Sequence, residues 1–136
     1  MPDWITLRTP EDGRVRSGRA PFDAATTNAL VLVARRVRAR PSRSLVEPSR
    51  HVYVVLLVYE EAEYGLYVGM TGRSPDERYR QHKAGYKSSK WPRRYGIGLL
   101  PALYKHLNPL DREPAELAEV ELAVALRTTG LRVHQG

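Results

Sequence analysis

Residues 51–59, "HVYVVLLVY", form a run of β-branched and aromatic side chains without a carboxylate or an amine. A strand buried on both faces reads this way, because neither face has to alternate with polar residues. The segment "EEAEYG" breaks the run with charge and a glycine, and "LYVGMT" resumes it. Together the two runs predict a β-hairpin with a loop of several residues. The pattern then turns helical at "SPDERYRQHKAG", where Ser74 stands as N-cap, Pro75 at the first helical position, Asp76 and Glu77 in the first turn and Gly85 past the end. These signals predict a helix over 75–84.

Downstream, "SSKWPRRYG" reads as a basic aromatic turn or short helix, and "IGLLPALYKHL" as a third strand whose Pro101 suits an edge. "REPAELAEVELAVALRTTG" carries the strongest helical signal, with Pro114 near its start, acids in its early turns, Arg127 near its end and Gly130 beyond. The tail "LRVHQG" is short and strand-like. Upstream, "DAATTNALVLVARRVRAR" predicts a helix from Asp23 to Arg40 between Pro21 and Pro41, and "PSRSLVEPSR" reads as a linker. The expected fold class is α/β (α+β): a small three-stranded, mainly antiparallel sheet flanked by helices, with an Arg-rich helical extension before it. The expected division is a basic extension over 1–50 and a compact domain over 51–136.

Charge narrows the partners. The 136 residues hold 22 Lys+Arg against 15 Asp+Glu, a formal net charge of +7, which favours a polyanion, nucleic acid first of all. Residues 1–50 hold 10 Arg against five acids, so this front part carries +5 of the total. From Arg73 to Lys105 there are nine basic residues against two acids, interleaved with Tyr79, Tyr86, Trp91, Tyr95 and Tyr104. A surface that tracks a phosphate backbone has this composition. The absence of cysteine removes disulfide scaffolds, thiolate metal sites and thiol nucleophiles. The opening "MPDWITLRTPEDGR" does not read as a secretory leader, and no apolar run approaches the ~20 residues of a membrane helix, so no membrane partner and a cytoplasmic location are expected.

The order of these motifs resembles the GIY-YIG nuclease family. "HVY" (51–53) stands where the family has its GIY element, "YVG" (67–69) where it has YIG, Arg78 and His82 lie four apart on the next helix, and a glutamate follows on a later one. The likeness covers about 51 to 136. Two letters of three differ in "HVY" and one in "YVG", and "VHQG" ends the chain where many members have a nearby asparagine, so His134 or Gln135 stands in that region. The resemblance implies a GIY-YIG-type endonuclease that cuts DNA with Mg2+ (or Mn2+). It implies catalytic roles for Tyr53, Tyr67, Arg78, His82 and Glu119. In the family the glutamate is followed by apolar residues about three, four and seven positions on, as Glu119 is by Leu122, Ala123 and Leu126, and Glu121 is the alternative metal ligand.

The residue chemistry gives a parallel reading. Arg78 offers a planar fork of donors to a phosphate. Tyr53 can orient or deprotonate a water if a cation lowers its phenol, and Tyr67 can hold water or phosphate. His82, one turn from Arg78, can carry a proton. A hard divalent ion takes oxygen ligands, usually one or two carboxylates plus water, and Glu116, Glu119 and Glu121 are on offer. Gly69, Arg73, Lys87, Lys90, Arg93, Arg94 and His134 are the residues expected against nucleic acid, holding phosphates without reading sequence. The plain structural reading makes the two tyrosines rim residues of a sheet and the arginines solvated charges. The two tyrosines share a face only if the hairpin register has the right parity. Other classes that fit are a non-catalytic basic nucleic-acid-binding module and a toxin or defence nuclease acting on DNA or RNA. A homodimer is possible through the apolar "ALVLV" face of the first helix.

Overall fold

The structure, a computed structural model, describes residues 5–136. Six strands and four helices follow one another as β1 (Thr6–Arg8), β2 (Ser17–Arg19), α1 (Ala24–Arg36), β3 (His51–Val58), β4 (Tyr64–Thr71), α2 (Pro75–Ala84), α3 (Lys90–Tyr95), β5 (Gly96–Leu99), α4 (Arg112–Arg127) and β6 (Arg132–Gln135). A short 3-10 turn, Pro101–Leu103, separates β5 from α4. All strands join one sheet in the order β2-β1-β5-β3-β4-β6. Every adjacent pair is antiparallel except β4 with β6, so the sheet is mixed.

This corrects the expected three-stranded sheet. The front segment adds a hairpin, β1–β2, that reaches the sheet through Arg8 paired with Leu99. The chain end adds β6 in parallel beside β4, with Tyr67 opposite His134. Three-residue strands carry no period long enough to read, and their partners lie up to 91 positions away, from Arg8 to Leu99. Ile5, Ala20 and Phe22 nonetheless enter the same buried core as Leu56, Leu99 and Leu122. Two further corrections are local. β5 ends before Pro101 and lies inside the sheet between β1 and β3, so the proline starts the 3-10 turn rather than marking an edge. The first helix stops at Arg36, because Val37 turns extended into the core and His106 Nε2 meets the carbonyls of Ala34 and Val37 at 3.0 and 3.1 Å, satisfying the last turn.

The hairpin and its helix form as their local signals predict. β3 and β4 pair over their whole lengths, from His51 with Thr71 to Val58 with Tyr64. Ser74 accepts from the Glu77 N–H at 3.1 Å, and Gly85 closes α2 with φ 83°, a left-handed conformation that costs glycine little. α2 and α3 cover the face of the sheet that carries Tyr53 and Tyr59, as their ring contacts to His82, Trp91 and Tyr95 show. α4 packs on β3, β4 and β6 with α1 against it, and it buries Ala118, Leu122, Ala123 and Leu126. No helix among the described residues is long and apolar enough to cross a membrane.

If the front hairpin belongs to this core, Ile5→Ala is expected to cost roughly 2–5 kcal/mol, the usual range for emptying a fully buried aliphatic site. Urea unfolding measures it; a loss below about 0.5 kcal/mol would show that residues 5–22 add nothing to the fold.

Candidate active site

The register decides the geometry. Tyr53 stands opposite Gly69 and Val55 opposite Tyr67, so the two tyrosines lie on one face, diagonally across the hairpin. Gly69 leaves the room that Tyr53 occupies: a Cβ there would fall 2.5 Å from the Tyr53 hydroxyl. His82 of α2 faces the same point. The three rings lie 6.3 Å (Tyr53 to Tyr67), 6.0 Å (Tyr53 to His82) and 5.7 Å (Tyr67 to His82) apart between centroids, a closed triangle. Inside it the Tyr53 hydroxyl and His82 Nε2 share a buried hydrogen bond of 2.7 Å.

Burial sets the protonation of that pair. It pushes the Tyr53 phenol far up, with Tyr67 adding to the rise and the Arg78 guanidinium opposing it. It pushes His82 down from 6.5 to about 4, and Arg78 adds to the fall. The pair therefore rests as phenol and neutral imidazole. The phenol must donate, so Nε2 accepts, and the imidazole proton sits on Nδ1, which is buried and has no partner among the described residues. Tyr67 is also pushed up by burial, offset in part by a hydrogen bond from Ser89.

Arg78 is held rather than free. Its Nη1 donates to Gln81 Oε1 at 3.1 Å and to the Tyr86 carbonyl at 3.2 Å, and its Nη2 to the Lys87 carbonyl at 2.7 Å. Three of the five guanidinium N–H donors are thus used, leaving two for Tyr53 and a further acceptor. On α4, Glu119 is almost buried and close enough to both tyrosines to raise their phenols. Its carboxyl is itself pushed up, first by burial, with Gln135 lowering it and Glu116 raising it again. Gln135 Nε2 donates to it at 3.3 Å, and no cation pairs with it among the described residues. Glu121 is elsewhere: its Oε1 takes Arg40 Nη2 at 2.6 Å on the surface.

Compared with protein-family models, curated proteins and solved structures, the chain matches none.

The site is thus read from its own atoms. Of the sequence-predicted residues, Tyr53, Tyr67, Arg78, His82, Glu119 and Gly69 converge. Arg73 and Lys87 line a cleft beside Arg78. The remaining four lie along α3 and β6. His134 stacks on Trp91 with centroids 3.7 Å apart and meets the Tyr59 hydroxyl at 2.8 Å, so it belongs to an aromatic cluster rather than to the tyrosine triangle. Lys90 lies over Trp91 at 4.6 Å, Arg94 pairs with Glu60 at 2.5 Å, and Arg93 packs near Gly85. Tyr79 is fully buried and donates to Glu11 of the front segment.

A hard divalent cation fits the donor set in kind. Glu119 supplies a desolvated carboxylate without a cationic partner among the described residues, within electrostatic reach of both phenols, although no group of three or more His, Asp or Glu side chains suited to a metal occurs among those residues. A single carboxylate completed by water is an ordinary magnesium arrangement. Sequence reasoning missed Ser89 and Arg50. Ser89 had no signal beyond capping α3, and Arg50 was absorbed into the linker, although it directly precedes the first strand.

His82 makes the fold sensitive to acid. The unfolded chain takes up its proton near pH 6.5 while the folded chain resists until about 4, so the unfolded state binds more protons between those values and stability falls as pH falls through them. At about 1.4 kcal/mol per pH unit the loss is roughly 3 kcal/mol. Urea midpoints from pH 7 to 4 should fall less steeply in His82→Gln than in the parent, and identical slopes would contradict the buried neutral imidazole.

Proposed function

We propose that this chain is a metal-dependent endonuclease that hydrolyses phosphodiester bonds of DNA, using Mg2+ or Mn2+. One observation carries the reading: the Tyr53–His82 hydrogen bond is ringed by Tyr67, Arg78 and Glu119, the residues that phosphoryl hydrolysis calls for. Such chemistry requires charge on the non-bridging oxygens, a positioned water and help for the leaving oxygen.

With one further N–H turned to Tyr53, the last N–H of Arg78 is available to a phosphate oxygen beside that phenol, and the three bonds to Gln81, Tyr86 and Lys87 hold the fork in place. Tyr53 accepts the proton of the attacking water on its oxygen as its own proton passes to His82 Nε2, which is open to receive it at 2.7 Å. Tyr67 fixes the water or a phosphate oxygen from the opposite side. Glu119, with water, would hold the divalent ion, which when bound supplies positive charge to the phosphate oxygens and lowers the cost of a phenolate nearby. Gln135 orients that carboxylate. Arg73, Lys87, Lys90 and Arg93 supply positive charge for the strand on either side.

Cleavage of single- and double-stranded DNA with Mg2+, with Mn2+ and with EDTA tests the proposal. Cutting should require the metal, and Glu119→Ala and Arg78→Ala should each lower it about 100-fold or more. Arg78→Lys should not restore it, because an ammonium lacks the fork. Glu121→Ala should retain it. Binding without metal-dependent cleavage, or full activity in Glu119→Ala, would return the chain to the class of non-catalytic nucleic-acid-binding modules.

A further inference from the structure

Beside the tyrosine triangle lies a cleft of about 720 Å³ whose lining carries four cations, Arg50, Arg73, Arg78 and Lys87, and no carboxylate. Clustered cations repel unless an anion lies between them, and a folded chain usually answers them with acids. Here the answer is slight. Arg73 meets Glu77 only at 3.6 Å on an exposed part of α2, a pairing of small worth. The Lys87 ammonium rests 5.6 Å from the centre of the Tyr86 ring.

Arg50 is the least satisfied of the four. Its backbone is fixed on both sides, with N–H to the Leu110 carbonyl at 2.9 Å and carbonyl from the Leu110 N–H at 2.8 Å. Its side chain is half-buried, and its guanidinium has no acceptor among the described residues. The fork lies against the turn that links β4 to α2: a Cβ on Gly72 would come within 3.1 Å of Arg50 Nη1. That glycine stands three residues from Gly69, which touches the Tyr53 hydroxyl position. At about 3.3 Å per extended residue the Gly72 wall of the cleft is at most about 10 Å from Gly69, and Arg78 lines the side nearer the tyrosines. That distance is enough for a neighbouring phosphate of the same strand, each nucleotide advancing about 3.4 Å along a duplex axis.

We propose that this cleft binds a second phosphate of the nucleic-acid strand, within about three nucleotides of the one that is cut, and that Arg50 is its anchor. The inference rests on the reading of the tyrosine triangle as the cutting site, and it adds to that site a fixed direction for the strand. The strand runs from Tyr53 past Gly72 into the cleft, where a planar guanidinium takes two phosphate oxygens and Arg73 and Lys87 add charge. Gly72 leaves the space in which the Arg50 fork lies flat.

Fluorescence anisotropy of the full chain with a fluorescein-labelled 20-nucleotide DNA, single- and double-stranded, tests this in EDTA over a series of KCl concentrations. Arg50→Ala should weaken binding several-fold and lower the slope of log K against log[KCl] by about one. Arg50→Lys should keep the slope but bind more weakly than the parent, and Gly72→Ala should weaken binding without lowering the slope by a full charge. Urea midpoints confirm that each variant is folded, and if Arg50→Ala fails that check, Arg50→Lys and Gly72→Ala still decide. Parent-like affinity and slope in the folded Arg50 variants, with metal-dependent cleavage intact, would overturn the cleft and leave the cutting site standing. An Arg50-dependent slope in a chain that never cleaves would keep the cleft and overturn the cutting site. Absence of DNA binding by the parent chain would overturn both.

Discussion

The hydroxyl of Tyr53 and Nε2 of His82 meet at 2.7 Å in the interior, between a strand and the helix that follows the next strand. Each ring is buried, so each is held in its neutral form at neutral pH, and a nearby cation such as Arg78 favours the phenolate of Tyr53 while opposing the imidazolium of His82. The bond locks α2 onto the sheet, and with α2 come Arg78 and the turn that carries Gly72. It also leaves an imidazole able to take a proton and a phenol able to pass one on. The same desolvation that makes the pair costly to ionise makes it responsive to a metal and a phosphate, because a charge placed there is screened little.

Glycine at position 69 is what lets this interaction exist. Any side chain there would overlap the Tyr53 hydroxyl, so the ring would have to leave the triangle. Around the triangle the tasks are divided among separate elements: the hairpin supplies both phenols, α2 the imidazole and the guanidinium, α4 the carboxylate, and β6 the amide that orients it. Convergence of four elements on one point is why the sheet must extend through β6, since Gln135 reaches Glu119 only from a strand paired in parallel beside β4.

Legibility followed the length of the local signal. The hairpin of β3 and β4, the caps of α2 and the amphipathic α4 are all continuous patterns, and each was readable in the chain. The tail was readable as strand-like, but its parallel pairing with β4 was not, nor were β1 and β2, because these strands are three or four residues long and their pairing depends on contacts distant in sequence. The tyrosines, Arg78 and His82 were legible as an ordered set, but their shared face rests on the register of Tyr53 with Gly69, which no sequence period specifies. Glu119 and Glu121 differ by two positions on one helix, and only the packing separates a desolvated carboxylate from one spent on Arg40. Arg50 was hidden by its neighbours, a proline- and serine-rich stretch that reads as linker.

The proposed nuclease chemistry requires the triangle and Glu119 to act on one phosphate. A crystal structure of the full chain with a short DNA duplex and Mn2+ tests it most directly, through the anomalous signal of the ion. The account predicts one peak beside the Glu119 carboxylate, with a phosphate between it, Arg78 and Tyr53. A peak at Glu121 or at another carboxylate, or DNA phosphates lying only along α3 with none near Tyr53, would contradict it.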